Sequence, residues 1–190
     1  MRIKLTSNNG FIASHLIKNF NIVEEDYDVL FLIASPTSEA KNIEDLKEYH
    51  KYVDDSINII KKEIKPIIFF STSDVYHISS GNIFENMYAL SKIYIESNIL
   101  TYSKNFLILR LPIILSRNKI DIINQPKRIQ NEVFNKIYNY DMNEIFEVTF
   151  IDDLLVNIKK LIENIDNKII DIDFKKIKFI DLIKLNKEII

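Results

Sequence analysis

Apolar and polar positions divide the chain into alternating short strands and helices. Residues 2–6 (RIKLT) alternate as a strand does, and residues 10–20 read as the helix after it. Residues 28–34 (DVLFLIA) form the next apolar run, closed by a turn and helix N-cap at 36–38. Residues 39–64 read as one long helix or two in series. Leu46, Tyr49, Val53, Ile57, Ile60 and Ile64 recur there at intervals of three and four, a core-facing stripe, with Tyr52 and Ile59 off it. Residues 67–70 make a buried strand that ends in the hydroxyls of Ser71, Thr72 and Ser73. A polar loop carrying Gly81 follows, then a helix over 86–103 that is apolar on more than one side. Residues 106–111 (FLILRL) are almost continuously apolar, the pattern of a parallel strand covered on both faces. Residues 112–125 read as loop and 126 or 127 to 138 as a short helix. Strand 145–150 leads into helix 151–162, with Asp152 as its N-cap. A strand at 169–172 and a helix at 179–190 close the chain. Strand and helix in alternation describe an α/β protein with a doubly wound parallel sheet.

Chemistry concentrates between Ile67 and Lys92. Tyr88 and Lys92 lie four apart, so on a helix they share a face. A cation beside a phenol favours phenolate and lowers the tyrosine pKa. With a hydroxyl delivered from the strand end, these groups can move a proton on and off a carbinol while hydride leaves its carbon. Among nine tyrosines such a pair also arises by chance. The Ser/Thr cluster just ahead singles this one out, because an open α/β sheet has its ligand crevice at the carboxyl ends of its strands.

Three segments in order, S-T-S-D-V-Y-H (71–77), Y-A-L-S-K (88–92) and L-R-L-P (109–112), carry a specific resemblance. The chain resembles the extended short-chain dehydrogenase/reductases, the NAD-dependent epimerase/dehydratase family that acts mainly on nucleotide sugars. The resemblance implies a Rossmann-like fold, NAD or NADP as cofactor and a nucleotide-activated sugar as substrate. It implies Tyr88 as catalytic acid/base, Lys92 as its pKa partner and cofactor-ribose ligand, and Thr72 as the hydroxyl partner. Ser73 and Asp74 would stand beside the substrate. The turn T-S-N-N-G-F-I-A (6–13) lies where the family carries T-G-x-x-G-x-x-G. Thr6, Ser7, Asn9, Gly10, Phe11 and Ile12 would then line the cofactor, with Ala34 from the next strand. Gly10 keeps the close-approach position and Ala13 replaces a packing glycine. Ser7 stands where unusual dihedrals are most needed, beside Asn8 and Asn9, which tolerate left-handed backbone.

The chain is shorter than this pattern in two places. Only residues 21–27 separate the first helix from the run at 28–34, where the family has strand, helix and strand. The second and third strands are therefore missing or reduced, and with them goes the acid that grips the adenosine ribose. Glu24, Glu25 and Asp26 are the acids left in the remnant. The first strand would become a sheet edge, to be covered by segment 21–27 or by a partner. A second shortening, between about 115 and 143, leaves a reduced substrate region at 115–190 within one domain spanning 1–190. The helices near 39–64 and 86–103 correspond to the family's dimer helices, which implies a homodimer or a heterodimer.

Composition removes whole classes of function. The net charge of −2 is spread over interspersed acids and bases, which is no footprint for nucleic acid. There is no cysteine, hence no thiolate nucleophile, no Cys-based metal site and none of the cysteine acid/base used by the epimerase/reductases that make GDP-fucose. His15, His50 and His77 are dispersed, so no metal is expected. No apolar run is long enough to span a bilayer and MRIKLTSNN lacks a signal h-region, so a cytoplasmic location is expected. Within the family, dehydratases carry Asp-Glu after the Thr, where this chain has Ser73 and Asp74. UDP-glucuronate decarboxylases carry S-T-S-E-V-Y-G, and Asp74 is a shorter carboxylate. Epimerases at C4 and ketoreductases need little beyond Thr72, Tyr88, Lys92 and a nicotinamide, and they fit best. The rival is a degenerate, non-catalytic relative acting as a binding or heterodimerising partner.

Overall fold

The computed structural model describes residues 1–33, 43–78, 83–117 and 141–188. Its elements are β1 (Arg2–Leu5), α1 (Phe11–Asn19), β2 (Asn21–Ile22), β3 (Val29–Leu32), α2 (Ile43–Lys62), β4 (Ile67–Thr72) and a 3-10 turn (Ser73–Tyr76). They continue with α3 (Ile83–Tyr102), β5 (Phe106–Leu111), β6 (Ile113–Leu115), β7 (Ile145–Phe150), α4 (Ile151–Leu161), β8 (Lys168–Asp171), β9 (Lys175–Lys178) and α5 (Phe179–Glu188). Six strands form one sheet in the order β2-β1-β3-β4-β5-β8, every pair parallel. A second, three-stranded sheet joins β6 to β7 in parallel and β7 to β9 antiparallel.

Strand alternation explains why the central strands read as unbroken apolar runs. On one face Ile68, Phe70, Leu107 and Leu109 pack with Leu16 of α1 and Leu154, Leu155 and Ile158 of α4. On the other face Ile67, Phe69, Phe106 and Ile108 meet Val53, Ile57 and Ile60 of α2 and Ile95 and Ile99 of α3. Burying each such side chain contributes about 1.5–3 kcal/mol. β1 differs because it lies toward the sheet edge. Ile3 and Leu5 are buried in the first core, while Arg2 is exposed and Lys4 half-buried on the other side. There Lys4 Nζ sits 5.3 Å from the centre of the Tyr27 ring, and the Tyr27 hydroxyl donates to Glu63 at 2.6 Å.

The missing strands are resolved as the shortening implied. β2 is a two-residue stub on β1, with Arg2 opposite Asn21 and Ile3 opposite Ile22. The Val23 amide donates to Ile3 O at 2.9 Å. The chain then turns at Asp26 (φ 53), and Asp28 N–H returns to Arg2 O at 2.8 Å. Segment 21–27 thus covers the edge of β1, as expected, and so short an edge strand offers little to another chain. No strand of the described residues separates this stub from β3.

Several expectations need correction. β4 runs two residues beyond Phe70 to Thr72, because Ser71 and Thr72 pair with Arg110 and Leu111, and Ser73 opens the 3-10 turn. α3 begins at Ile83, which places Tyr88 in its second turn and not its first. Ile64 is off the core stripe at 89% exposure, because α2 ends at Lys62. Residues 113–115 are strand rather than loop, and β9 (KKIK) was not foreseen, having only Ile177 to mark it as apolar. Asp152 does not cap α4: the cap residue is Phe150, and Asp152 lies in the first turn near Arg117. Residues 43–62 form one continuous helix. The turn at 36–38, Gly81 and the helix at 126–138 lie outside the described residues.

Candidate functional site

The turn after β1 starts with Thr6, whose N–H donates to Phe31 O at 3.1 Å and whose Oγ1 accepts the Ile33 N–H at 3.0 Å. These bonds moor the turn to the end of β3. Ser7 Oγ accepts the Asn9 N–H at 3.3 Å. Gly10, the residue before α1, has φ 102 and ψ 170, a region open essentially to glycine alone. The dihedral demand therefore falls on Gly10 and not on Ser7: among the described residues, the non-glycine positive φ values are those of Asp26 and Asn167. A methyl group built on Gly10 would meet nothing within 4 Å, so the space beside its α-carbon is open.

α1 begins without a side-chain cap and without an acid in its first turn. Its first helical bond runs from Ser14 N–H to Gly10 O at 3.0 Å, so the amides of Phe11, Ile12 and Ala13 are the unpaired donors of a helix start. They carry the positive end of the helix dipole. Phe11 and Ile12 turn their half-buried side chains into the core, and Ala13 is fully packed against the sheet. These three offer a ligand main chain only. Ala34 lies outside the described residues.

Tyr88 and Lys92 stand one turn apart on α3, beside the end of β4. Lys92 is 3% exposed, and its Nζ donates to Phe70 O at 2.9 Å. Aromatic rings surround the ammonium, with centres at 4.9 Å (Phe69), 5.6 Å (Tyr88) and 5.8 Å (Tyr52). Burial pushes the Lys92 pKa down to about 7, while the Glu96 carboxylate pulls it back up. The sequence reading took Lys92 as a cation beside the phenol; it did not show that the lysine is buried. Thr72 is buried at the last position of β4, where its Oγ1 accepts the Asp74 N–H at 3.2 Å. That bond uses a lone pair and not the hydroxyl hydrogen. Ser73 and Asp74 form the 3-10 turn just beyond it, Asp74 exposed. Glu24 and Glu25 are exposed on a turn that starts level with Ile3, short of the end of β1.

One group of buried polar residues escaped the sequence reading. Ser71 Oγ donates to Glu96 Oε1 at 2.6 Å, and Arg110 forks onto the same carboxylate, Nε to Oε1 at 3.1 Å and Nη2 to Oε2 at 2.7 Å. Arg110 Nη1 also donates to the Tyr76 hydroxyl at 2.5 Å, and that hydroxyl donates to the Asp171 carboxylate at 2.9 Å. The pairing with Glu96 holds the Arg110 guanidinium firmly protonated. Arg110 and Tyr76 were visible in the motifs as letters without a role. The spacing of Glu96, four after Lys92, was the signal that could have found it.

A cleft of about 510 Å³ borders Thr6, Leu32, Tyr52, Asp55, Ser56, Ile59 and Lys62. Burial pushes the Tyr52 pKa upward, so its phenol stays neutral. Among the described residues no cluster of His, Asp and Glu could hold a metal ion, and no helix is long and apolar enough to cross a membrane.

No protein-family model and no curated protein sequence matches the chain. Solved structures do. MoeE5 in complex with UDP-glucose and NAD superimposes with a TM-score of 0.74 at 13% identity, covering 99% of this chain and 81% of that one. RMD from Pseudomonas aeruginosa, complexed with NADPH, gives 0.71 at 15% identity over 98% and 82% of the two chains. UDP-glucose 4-epimerase from Thermotoga maritima, with UDP-glucose, gives 0.69 at 17% identity over 99% and 82%. The chain shares the Rossmann-like α/β fold of these three structures, in a shorter chain.

Proposed function

We propose that this chain, sharing its fold with enzymes that bind NAD(P) and nucleotide sugars, is itself an NAD(P)-dependent epimerase or ketoreductase acting on a nucleotide-activated sugar. One observation carries the reading: the buried Lys92 ammonium lies 5.6 Å from the centre of the Tyr88 ring and donates to Phe70 O beside the end of β4. A lysine so far from water is costly as a mere packing element. Beside a tyrosine at a sheet's ligand-binding edge, it is suited to proton transfer.

The residues present fit the cofactor. The uncapped start of α1, with Gly10 open to close approach and no nearby acid, would receive its pyrophosphate through the amides of Phe11 and Ile12. Thr6, Ser7 and Asn9 would complete that turn, with Ala34 beyond it. Lys92 would reach the nicotinamide ribose. When bound, the nicotinamide takes or gives hydride at the sugar carbon.

The chain's own groups handle the proton. Tyr88, as phenolate, would accept it from the sugar C4 hydroxyl and return it in the reverse sense. Lys92 would become fully charged as the phenolate forms, since each charge favours the other. Thr72 would donate its hydroxyl hydrogen to the same sugar oxygen. Ser73 and Asp74 would contact the substrate, and the small sheet β6-β7-β9 would be what remains of a substrate region.

We also assign a homodimer through α2 and α3, or a heterodimer with a related chain. α3 leaves Leu90, Ile93, Tyr94 and Leu100 exposed, and α2 leaves Ile59 partly so.

The stub β2 favours the rival reading, a non-catalytic binding partner, because no acid is held at the end of a full second strand. Calorimetric titration with NAD⁺, NADH, NADP⁺ and NADPH separates the two, with Tyr88→Phe as a folding control. Micromolar binding, roughly −8 kcal/mol, followed by nucleotide-sugar turnover that Tyr88→Phe abolishes, supports the enzyme. A well-folded protein that binds none of the four overturns it.

A further inference from the structure

Strand alternation explains how Glu96 is held. Ile67 and Phe69 face α2 and α3, so Ser71 faces that side too; Phe106 and Ile108 do the same, which carries Arg110 with them. Ser71 and Arg110 are direct partners across β4 and β5. Two neighbouring strands therefore present a hydroxyl and a guanidinium side by side to one carboxylate on α3. Glu96 is 4% exposed and receives three donors: Ser71 Oγ, Arg110 Nε and Arg110 Nη2.

We propose that Glu96 is a positioning residue: clamped by Ser71 and Arg110, it seats α3 on the end of β4 and holds a negative charge one helical turn from Lys92. The proposal rests on the preceding reading only in naming Tyr88 and Lys92 as the working groups. A buried carboxylate is displaced only at the cost of its donors, so this clamp sets the axial position of α3. Lys92 and Tyr88 lie one and two turns before it on the helix. The neighbours of Lys92 show why Glu96 matters electrically. β4 offers the Phe70 carbonyl and the Phe69 ring, α2 the neutral Tyr52 phenol, and α3 Tyr88 and Glu96. Among these groups Glu96 is the anion, and the Arg110 guanidinium paired with it is also bonded to the Tyr76 hydroxyl, which donates to Asp171.

The test is made on cofactor-free protein. Lysine side-chain NMR signals are followed against pH, Lys92 being assigned by its absence from Lys92→Met. In Glu96→Gln, which keeps the shape and removes the charge, the Lys92 midpoint is expected to fall by about one pH unit or more, a tenfold change in its protonation constant. Glu96→Gln strands a partly buried guanidinium, so Glu96→Gln/Arg110→Met guards against loss of the fold. Its midpoint is expected between those of Glu96→Gln and the wild type, or simply below the wild type if the single variant does not fold. An unmoved midpoint in whichever of the two folds overturns the proposal, leaving Glu96 a structural ion pair. Since no dinucleotide is present, a wild type that binds none refutes the proposed function without altering this result.

Discussion

The Lys92 ammonium donates to the main-chain carbonyl of Phe70 at 2.9 Å, so the cation of the candidate site is seated on strand β4 and walled by aromatic rings. The protein's own side chains bury it, and that burial pushes its pKa down to about 7. That relationship has a consequence for stability.

Burial pushes the folded Lys92 pKa down to about 7 from its ordinary 10.5. Between these values the unfolded state binds the extra proton, so stability rises with pH. The contribution is at its worst below pH 7, and the slope is at most about 1.4 kcal/mol per pH unit. Tyr27, raised to about 12, works the other way only above the ordinary tyrosine range near 10. Urea midpoints measured from roughly pH 7 to 9.5 should therefore climb, and the climb should vanish in Lys92→Met. A flat wild-type profile would show that the lysine is charged and compensated throughout.

Gly10→Ala isolates backbone strain, because the added methyl has open space and only φ 102 to contend with. A loss of about 1–3 kcal/mol is expected. Ser7→Gly restores the family's letter where the backbone does not ask for it. It should cost up to about 1 kcal/mol through added freedom of the unfolded chain. Chemical denaturation of both variants checks the order; Ser7→Gly stabilising the protein would contradict the assigned dihedrals.

Arg110→Met leaves the Glu96 carboxylate buried with Ser71 as its remaining donor in the clamp. A destabilisation of about 3–5 kcal/mol is expected, as for breaking a buried pair from one side. The double variant Glu96→Gln/Arg110→Met should recover part of it. A double-mutant cycle in urea measures that coupling, and strict additivity would mean that the pair is not the unit described.

Leu90→Glu and Leu100→Glu place charge on the exposed apolar side of α3, where neither residue is needed by the core. If α3 forms a dimer interface, sedimentation should show wild-type dimers and variant monomers of unchanged fold. A wild type that sediments as a monomer at tens of micromolar removes the homodimer from the proposal.

The order of strands and helices was legible because it depends on local periodicity. Residues 106–111 and 145–150 were read with the observed bounds, and the shortening after α1 was visible when segment 21–27 was set against the pattern the chain resembles. Ends were less so. Ile64 fits the helical spacing, yet it falls beyond the last turn of α2, and periodicity does not tell a helix where to stop. KKIK became a strand only because β7 was there to pair with it.

For the site, sequence by itself determined that a hydroxyl-ended strand precedes a Tyr and a Lys on one helical face. It also determined that glycine is spared for one position of the first turn. Only the tertiary structure decided that Gly10 carries the strained dihedral, and that Lys92 is buried against the Phe70 carbonyl. It alone brought Glu96 under Ser71 and Arg110. The physical reason is common to all three. Backbone dihedrals in a turn, desolvation of a charge and pairing across β4 and β5 depend on what packs alongside, and a residue's neighbours in the chain do not specify that.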